Sequence, residues 1–345
     1  MTENVTLPSS ISASIIAGTI HFNESYMNFQ FNWNQFPTYL AVVPWSYMLP
    51  SFFIILRIFK VYWSSNWDRP EPGKNQYVFL VISLSQFTCF ALFFFDCLML
   101  RFPATGIVTS LCARTIPNQP LKFIFFFTFY INYSAMIFPF LMPVIRLMII
   151  LFPKSHNKIN SWLVRIGVPA ILTYPICFTF FLIPAVGICK QVGHPYPFGA
   201  IIVYYAGAAF GLRNSYFYLY NTLFWMIAST FANIILFVKV AKARSRLISL
   251  QKNGVSYRAE TSITITTVSM IAFYLTNGIF VLIYINYYGT SGYTSYFTIL
   301  RPFGNDMQTC IVSLVFYMTH PVFKKKKELD VVFSTSSFKR RMGLA

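Results

Sequence analysis

Along this chain, long runs without Asp, Glu, Lys or Arg alternate with short basic segments. Thr38–Leu56, Asn75–Phe95, Phe123–Ile145, Ile166–Cys189 and Asn214–Val238 are five such runs. A bilayer core about 30 Å thick needs roughly 20 apolar residues in a helix, and each run comes close to that length or exceeds it. Thr261–Leu300 is also uncharged but too long for one crossing. Its interior Tyr288–Gly292, Tyr-Gly-Thr-Ser-Gly, is a turn signal that divides it. The pattern therefore predicts an all-α membrane protein, a seven-transmembrane helix bundle over residues 38–320. Its spans are expected near 38–62, 76–100, 121–151, 161–188, 214–240, 262–287 and 295–319. Residues 1–37 form an N-terminal tail and 321–345 a basic C-terminal tail. One rival stretch, Gln191–Leu212, is uncharged, but its most apolar part, Gly199–Leu212, has only 14 residues and three glycines. That is short for a crossing, and the expectation is an outer loop packed on the bundle.

Composition strengthens this reading. Hydrophobic residues make up 56% of the 345 residues and charged residues 10%, whereas a soluble domain carries about a quarter charged residues. Too few charges exist to cover a water-facing surface. The net charge of +18 raises the question of nucleic acid, but no nucleic-acid-binding motif is present. The basic residues sit between the apolar runs, as the positive-inside rule expects.

That rule also orients the chain. With seven spans, the first, third and fifth loops plus the C-tail hold 21 Lys and Arg, and the opposite side holds 6. The richer side is expected to be cytoplasmic, which puts the N-terminus outside and the C-terminus inside. The N-tail has no Lys or Arg and carries two glycosylation triplets, at Asn4 and Asn23. No basic region precedes an apolar one at the N-terminus, so no signal peptide is expected and the first span would start translocation itself. The basic segment Lys239–Arg258 and the Lys324–Lys327 run would meet anionic membrane lipids or a cytoplasmic protein partner, lipids being the stronger expectation for the tail run.

Of six cysteines, Cys89, Cys97, Cys177 and Cys310 fall within spans, where Cys acts as a small hydrophobe. Cys112 and Cys189 fall on the outer side. In an oxidising compartment they would pair or stand as two free thiols, and pairing is the stronger expectation. No Cys-x-x-Cys or His cluster suggests a metal, no motif calls for a cofactor, and no Gly-x-Ser-x-Gly or His-Glu-x-x-His suggests an enzyme.

Ionisable residues inside the spans are few, and by default functional. Asp96 lies near the outer end of the second span, either functional or solvated at the interface, and Asp306 lies in the seventh. Arg101, Arg114 and Arg301 are the available partners. Asp96–Arg101 and Arg301–Asp306 are each five residues apart, a poor spacing on an α-helix. A cross-helix pair of Asp96 with Arg301 is the alternative. Arg146, at the inner end of the third span, is either a headgroup anchor or a switch that meets a cytoplasmic partner.

Seven spans, an outside N-terminus and a Cys on each of two outer segments resemble a G-protein-coupled receptor. The chain has no Asp-Arg-Tyr after the third span, no Trp-x-Pro in the sixth and no Asn-Pro-x-x-Tyr in the seventh. A narrower resemblance rests on three segments. These are Phe102-Pro103-Ala104-Thr105-Gly106, the third-span run Phe129–Phe140 leading to Ile145-Arg146-Leu147, and Pro195-Tyr196-Pro197-Phe198-Gly199-Ala200. They resemble the nematode serpentine chemoreceptors, most like class U and next class gamma, over about residues 25–325. The resemblance implies a receptor in the plasma membrane of a sensory neuron. It would bind a small environmental or pheromone molecule from outside and signal to a heterotrimeric G protein, with Arg146 facing that partner. The competing readings are a seven-span ligand-gated channel, which would run with its N-terminus inside, and a transporter, for which no internal repeat is visible.

Overall fold

The computed structural model describes residues 18–65, 75–212, 214–247, 258–259, 261–270 and 293–324. The principal helices are α1 (Phe36–Ser64), α2 (Gln76–Asp96), α3 (Gln119–Leu151), α4 (His156–Thr173), α5 (Asn214–Leu247), α6 (described over 261–270) and α7 (Tyr293–Thr319). Among the described residues, five helical stretches are long and apolar enough to cross a membrane: Phe36–Ser64, Gln76–Ala104, Gln119–Leu151, His156–Leu182 and Asn214–Lys242. The chain is a multi-pass membrane protein.

The start signals are local. Asn75 caps α2 by accepting from the backbone N–H of Tyr77 and Val78, and Asn118 caps α3 by accepting from Leu121. Pro37 and Pro120 occupy the first turns of α1 and α3, where the missing N–H costs nothing. At 33 residues, α3 is about 50 Å long, more than a bilayer core requires. It is the axis of the molecule and packs against α2, α4, α5 and a two-stranded hairpin. α7 packs on α1 and α2.

Side-chain distribution is inverted relative to a water-soluble fold. Tyr39, Val42, Leu49 and Phe53 of α1 and Phe224, Ile227, Phe231 and Ile234 of α5 face outward, exposed. Ser83, Ser85, Gln86, Asn132, Thr266 and Ser313 are buried between helices. In hydrocarbon this arrangement is favourable: the apolar faces meet lipid and the polar side chains bond across helices. One such bond runs from Ser313 Oγ to Gln86 Oε1 at 2.9 Å.

Three element boundaries differ from the sequence expectation. The fourth helix ends at Thr173 instead of continuing to 188, because Pro175 cannot donate the next helical hydrogen bond. A helical turn follows over Ile176–Leu182, and β1 begins at Val186. The segment expected as an outer loop contributes the second strand of a hairpin. β1 (Val186–Gln191) pairs antiparallel with β2 (Ile201–Ala206), Cys189 opposite Val203. Finally, α5 stays helical to Leu247, past the expected end at 240, so the first residues of the basic segment still belong to a helix. The Tyr288–Gly292 turn signal lies outside the described residues.

Candidate functional site

At one end of the bundle, where α1, α2 and α7 meet, the chain builds a buried charge cluster. α2 does not stop at Asp96. It continues as a π-helical turn, Cys97–Arg101, closed by the Phe102 N–H donating to the Cys97 carbonyl five residues back. Pro103, two residues past this turn, has no N–H for the Met99 carbonyl, and its ring crowds that carbonyl. The wider turn is the local solution. It returns residue i+5 to the face of residue i, so Arg101 Nε reaches Asp96 Oδ2 at 3.0 Å. The other two guanidinium nitrogens fork onto Asp306 of α7, each N–O distance 2.8 Å. Tyr47 of α1 donates its hydroxyl to Asp306 Oδ2 at 2.8 Å. All three charged residues are at most 5% exposed. The Phe93 ring stands 4.9 Å and the Phe303 ring 5.9 Å from the guanidinium carbon.

The spacing argument against Asp96–Arg101 therefore fails, since it assumed α-helical register. The pairing of Asp96 with Arg301 is replaced by Arg101 serving both carboxylates. A small cavity bordered by Leu40, Leu100, Arg101, Tyr196 and Phe303 opens beside the cluster.

Arg301 takes a different direction. It lies five residues before Asp306 on α7, about 140° around the helix at 3.6 residues per turn. It faces α3 and α5. Its guanidinium carbon is 5.1 Å from the Tyr218 ring centroid and 5.9 Å from that of Phe129. No ion pair to Arg301 is found among the described residues. Next to it, Tyr133 donates to Asn214 Oδ1 at 2.8 Å and fastens the start of α5 to α3.

A cap covers this end of the bundle. Cys112 and Cys189 are joined as a disulfide, Cα–Cα 6.3 Å, tying β1 to the short helix Thr109–Arg114. The N-tail packs into the same cap. His21 is buried, with Nδ1 2.6 Å from the Thr115 carbonyl, while its Nε2 accepts from the Cys189 N–H at 2.9 Å. That pattern requires a neutral ring with the proton on Nδ1. Burial lowers the His21 pKa, against the raising effect of the backbone carbonyl contacts. Thr109 donates to the Gly199 carbonyl at 2.5 Å. Gly199 has φ +89°, and a Cβ there would stand 2.0 Å from the Phe29 ring. A Cβ on Gly187 would lie 2.1 Å from the Lys122 backbone nitrogen, so glycine lets β1 close on the start of α3. Asn23 is exposed and caps a short helix by accepting from Ser25. Asn4 lies outside the described residues.

At the opposite end, Arg146 is 3% exposed and does not reach outward as an anchor. It donates to Thr267 Oγ1 at 3.1 Å and to Thr264 Oγ1 at 2.8 Å, linking α3 to α6. Neither threonine was visible as a partner in the sequence, because the pairing spans more than a hundred residues. Among the described residues, no group of His, Cys, Asp and Glu is arranged to hold a metal.

A helical bundle with an ionic cluster beneath a disulfide-linked cap and a buried arginine at its other end is the build of a multi-pass membrane receptor. Residues 20–326 match the serpentine type 7TM GPCR chemoreceptor family Sru. The chain is also similar to serpentine receptor class U-26 of Caenorhabditis elegans, 40% identical over 291 residues, covering 84% of this chain and 98% of that protein. The chain belongs to the Sru family of serpentine chemoreceptors. This is a family of chemosensory receptors and not of enzymes.

Proposed function

We propose that this chain is a plasma-membrane receptor of a sensory neuron. It crosses the membrane seven times with its N-terminus outside, binds a small environmental or pheromone molecule from that side, and signals to a heterotrimeric G protein. The observation that carries this reading is Arg146, buried at one end of α3 and hydrogen-bonded across to Thr264 and Thr267 of α6. These two hydrogen bonds hold the guanidinium against α6 and are lost when the two helices part. Moving α6 away releases the guanidinium to a partner outside the bundle.

The signalling step is a population shift. The ligand must bind the arrangement with α6 displaced more tightly than the one with Arg146 closed. The disulfide-linked cap fixes the outer ends of α3 and the hairpin, so helix movement is directed to the other end. Lys239 and Lys242, on the final turns of α5, are suited to anionic headgroups beside the G-protein surface. Asn4 and Asn23 are the proposed glycan sites.

The test is G-protein dissociation in cells expressing the receptor. Thr264→Val with Thr267→Val removes these two α6 acceptors and is expected to raise basal signalling several-fold above the wild type. Correctly inserted receptor that activates no G protein in either form contradicts the reading.

A further inference from the structure

The outer half of the bundle holds two guanidinium groups with opposite circumstances. Arg101 is matched by two carboxyl groups, Asp96 and Asp306. Arg301 points the other way, between α3 and α5, and no carboxylate meets it among the described residues. A charged side chain inside a bundle is costly and marks a functional site by default.

The surroundings of Arg301 are also unfinished. The Tyr218 hydroxyl belongs to the residue whose ring lies 5.1 Å from the guanidinium, is buried, and has no hydrogen-bond partner among the described residues. One turn further along the same face of α7, Asn305 Oδ1 is buried and unpartnered, and so is Gln308 Nε2 another turn on. On α3, Asn132 follows Phe129 by three residues, on the face that meets Arg301, and its Nδ2 is buried and unpartnered. Buried polar atoms are normally bonded. Four that are not, on three helices around one unpaired cation, indicate a polar group supplied from outside the chain. The side chains beside Arg301 are aromatic: Phe129, Tyr133 and the Tyr218 ring.

We propose that the ligand is a small organic carboxylate with an apolar body, its carboxylate held by Arg301 and the Tyr218 hydroxyl between α3, α5 and α7. This rests on reading the chain as a ligand-binding receptor. The guanidinium fork matches a carboxylate in two parallel hydrogen bonds, and the tyrosine hydroxyl donates a third. The apolar body lies against the α3 and α5 rings. An amine would meet like charge at Arg301, and an alcohol would leave the cation unneutralised.

The experiment uses the full-length receptor in lipid nanodiscs. Its melting temperature is followed with hexanoate, octanoate and phenylacetate, and with the matching alcohols. The carboxylates are expected to stabilise the wild type and the alcohols to have no effect. Arg301→Gln should weaken the effective carboxylate about 100-fold and Tyr218→Phe about tenfold, with Arg301→Lys retaining part of the binding. The wild-type comparison of acid with alcohol requires no variant to fold. Alcohols that stabilise as well as acids, no stabilisation by any acid, or full binding by folded Arg301→Gln overturns the proposal. A carboxylate that binds through Arg301 without any G-protein response breaks the signalling reading and leaves the anion site standing. Signalling to neutral molecules alone does the reverse.

Discussion

Arg101 bonds two carboxylates on different helices, and the effect of substituting it follows from that. Arg101→Met leaves Asp96 and Asp306 buried and facing each other without a cation. Breaking a buried pair this way costs about 3–5 kcal/mol, and the receptor is expected to lose most of its folded population in a thermal or detergent-stability assay. Adding Asp96→Asn and Asp306→Asn to the same chain should recover much of the loss, because no uncompensated charge remains. Failure of that rescue would mean that Arg101 acts through packing on Phe93 alone. His21 gives a pH dependence of known sign. Its folded pKa lies below the ordinary 6.5, so below that pH the unfolded chain takes up a proton that the folded cap refuses. Stability is complete above about 6.5 and falls as pH drops toward the folded value. The expected readout is a lower melting temperature at acidic pH than at neutral pH, and His21→Gln, which does not titrate, should flatten that difference. Asp96, Arg101, Arg301 and Asp306 all stand out in the sequence as charges in apolar runs. Their pairing does not, because it depends on which face each residue occupies.

At the scale of elements, the apolar runs make the helices legible, since length and lack of charge are what a bilayer selects for. Register within a helix is less visible. Nothing in the composition of Asp96–Arg101 distinguishes a π-turn from an α-turn. Only Pro103 hints at it, and prolines elsewhere, such as Pro44 and Pro139, sit within helices that remain α. The hairpin is hidden in the sequence for a related reason, its first strand lying at the end of the expected fourth span and its second in the expected loop. Val186–Gln191 continues an apolar run that looks helical until the prolines at 175 and 184 are given weight. Its close approach to α3 depends on Gly187, where any Cβ meets backbone. Gly187→Ala is therefore expected to cost about 1–3 kcal/mol, the usual range for overpacking, and to reduce the amount of receptor reaching the cell surface. Equal surface levels of the variant and the wild type would show that the hairpin can shift away from α3. The segments 102–106 and 195–200, which carry the family resemblance, meet in space: Thr109, just after the first, bonds Gly199 in the second. Both segments thus belong to the cap of this chain, which no reading of either segment alone would give.

The whole molecule has one end with a disulfide-linked cap, a charge cluster and the Arg301 guanidinium, and an opposite end closed by Arg146. Binding at one end and signalling at the other require the two ends to lie on opposite sides of the membrane. The imbalance of 21 basic residues against 6 supports that assignment, because positive loops stay in the cytoplasm. The most direct test is topology in intact cells. Glycosidase sensitivity is read at Asn4 and Asn23, and a tag at the C-terminus is probed before and after permeabilisation. Glycans that disappear when both asparagines become glutamine are expected, with the tag detected only in permeabilised cells. A tag accessible on intact cells, or an N-tail protected from the outside, would contradict this topology by placing the cap and Arg301 on the wrong side for an external ligand.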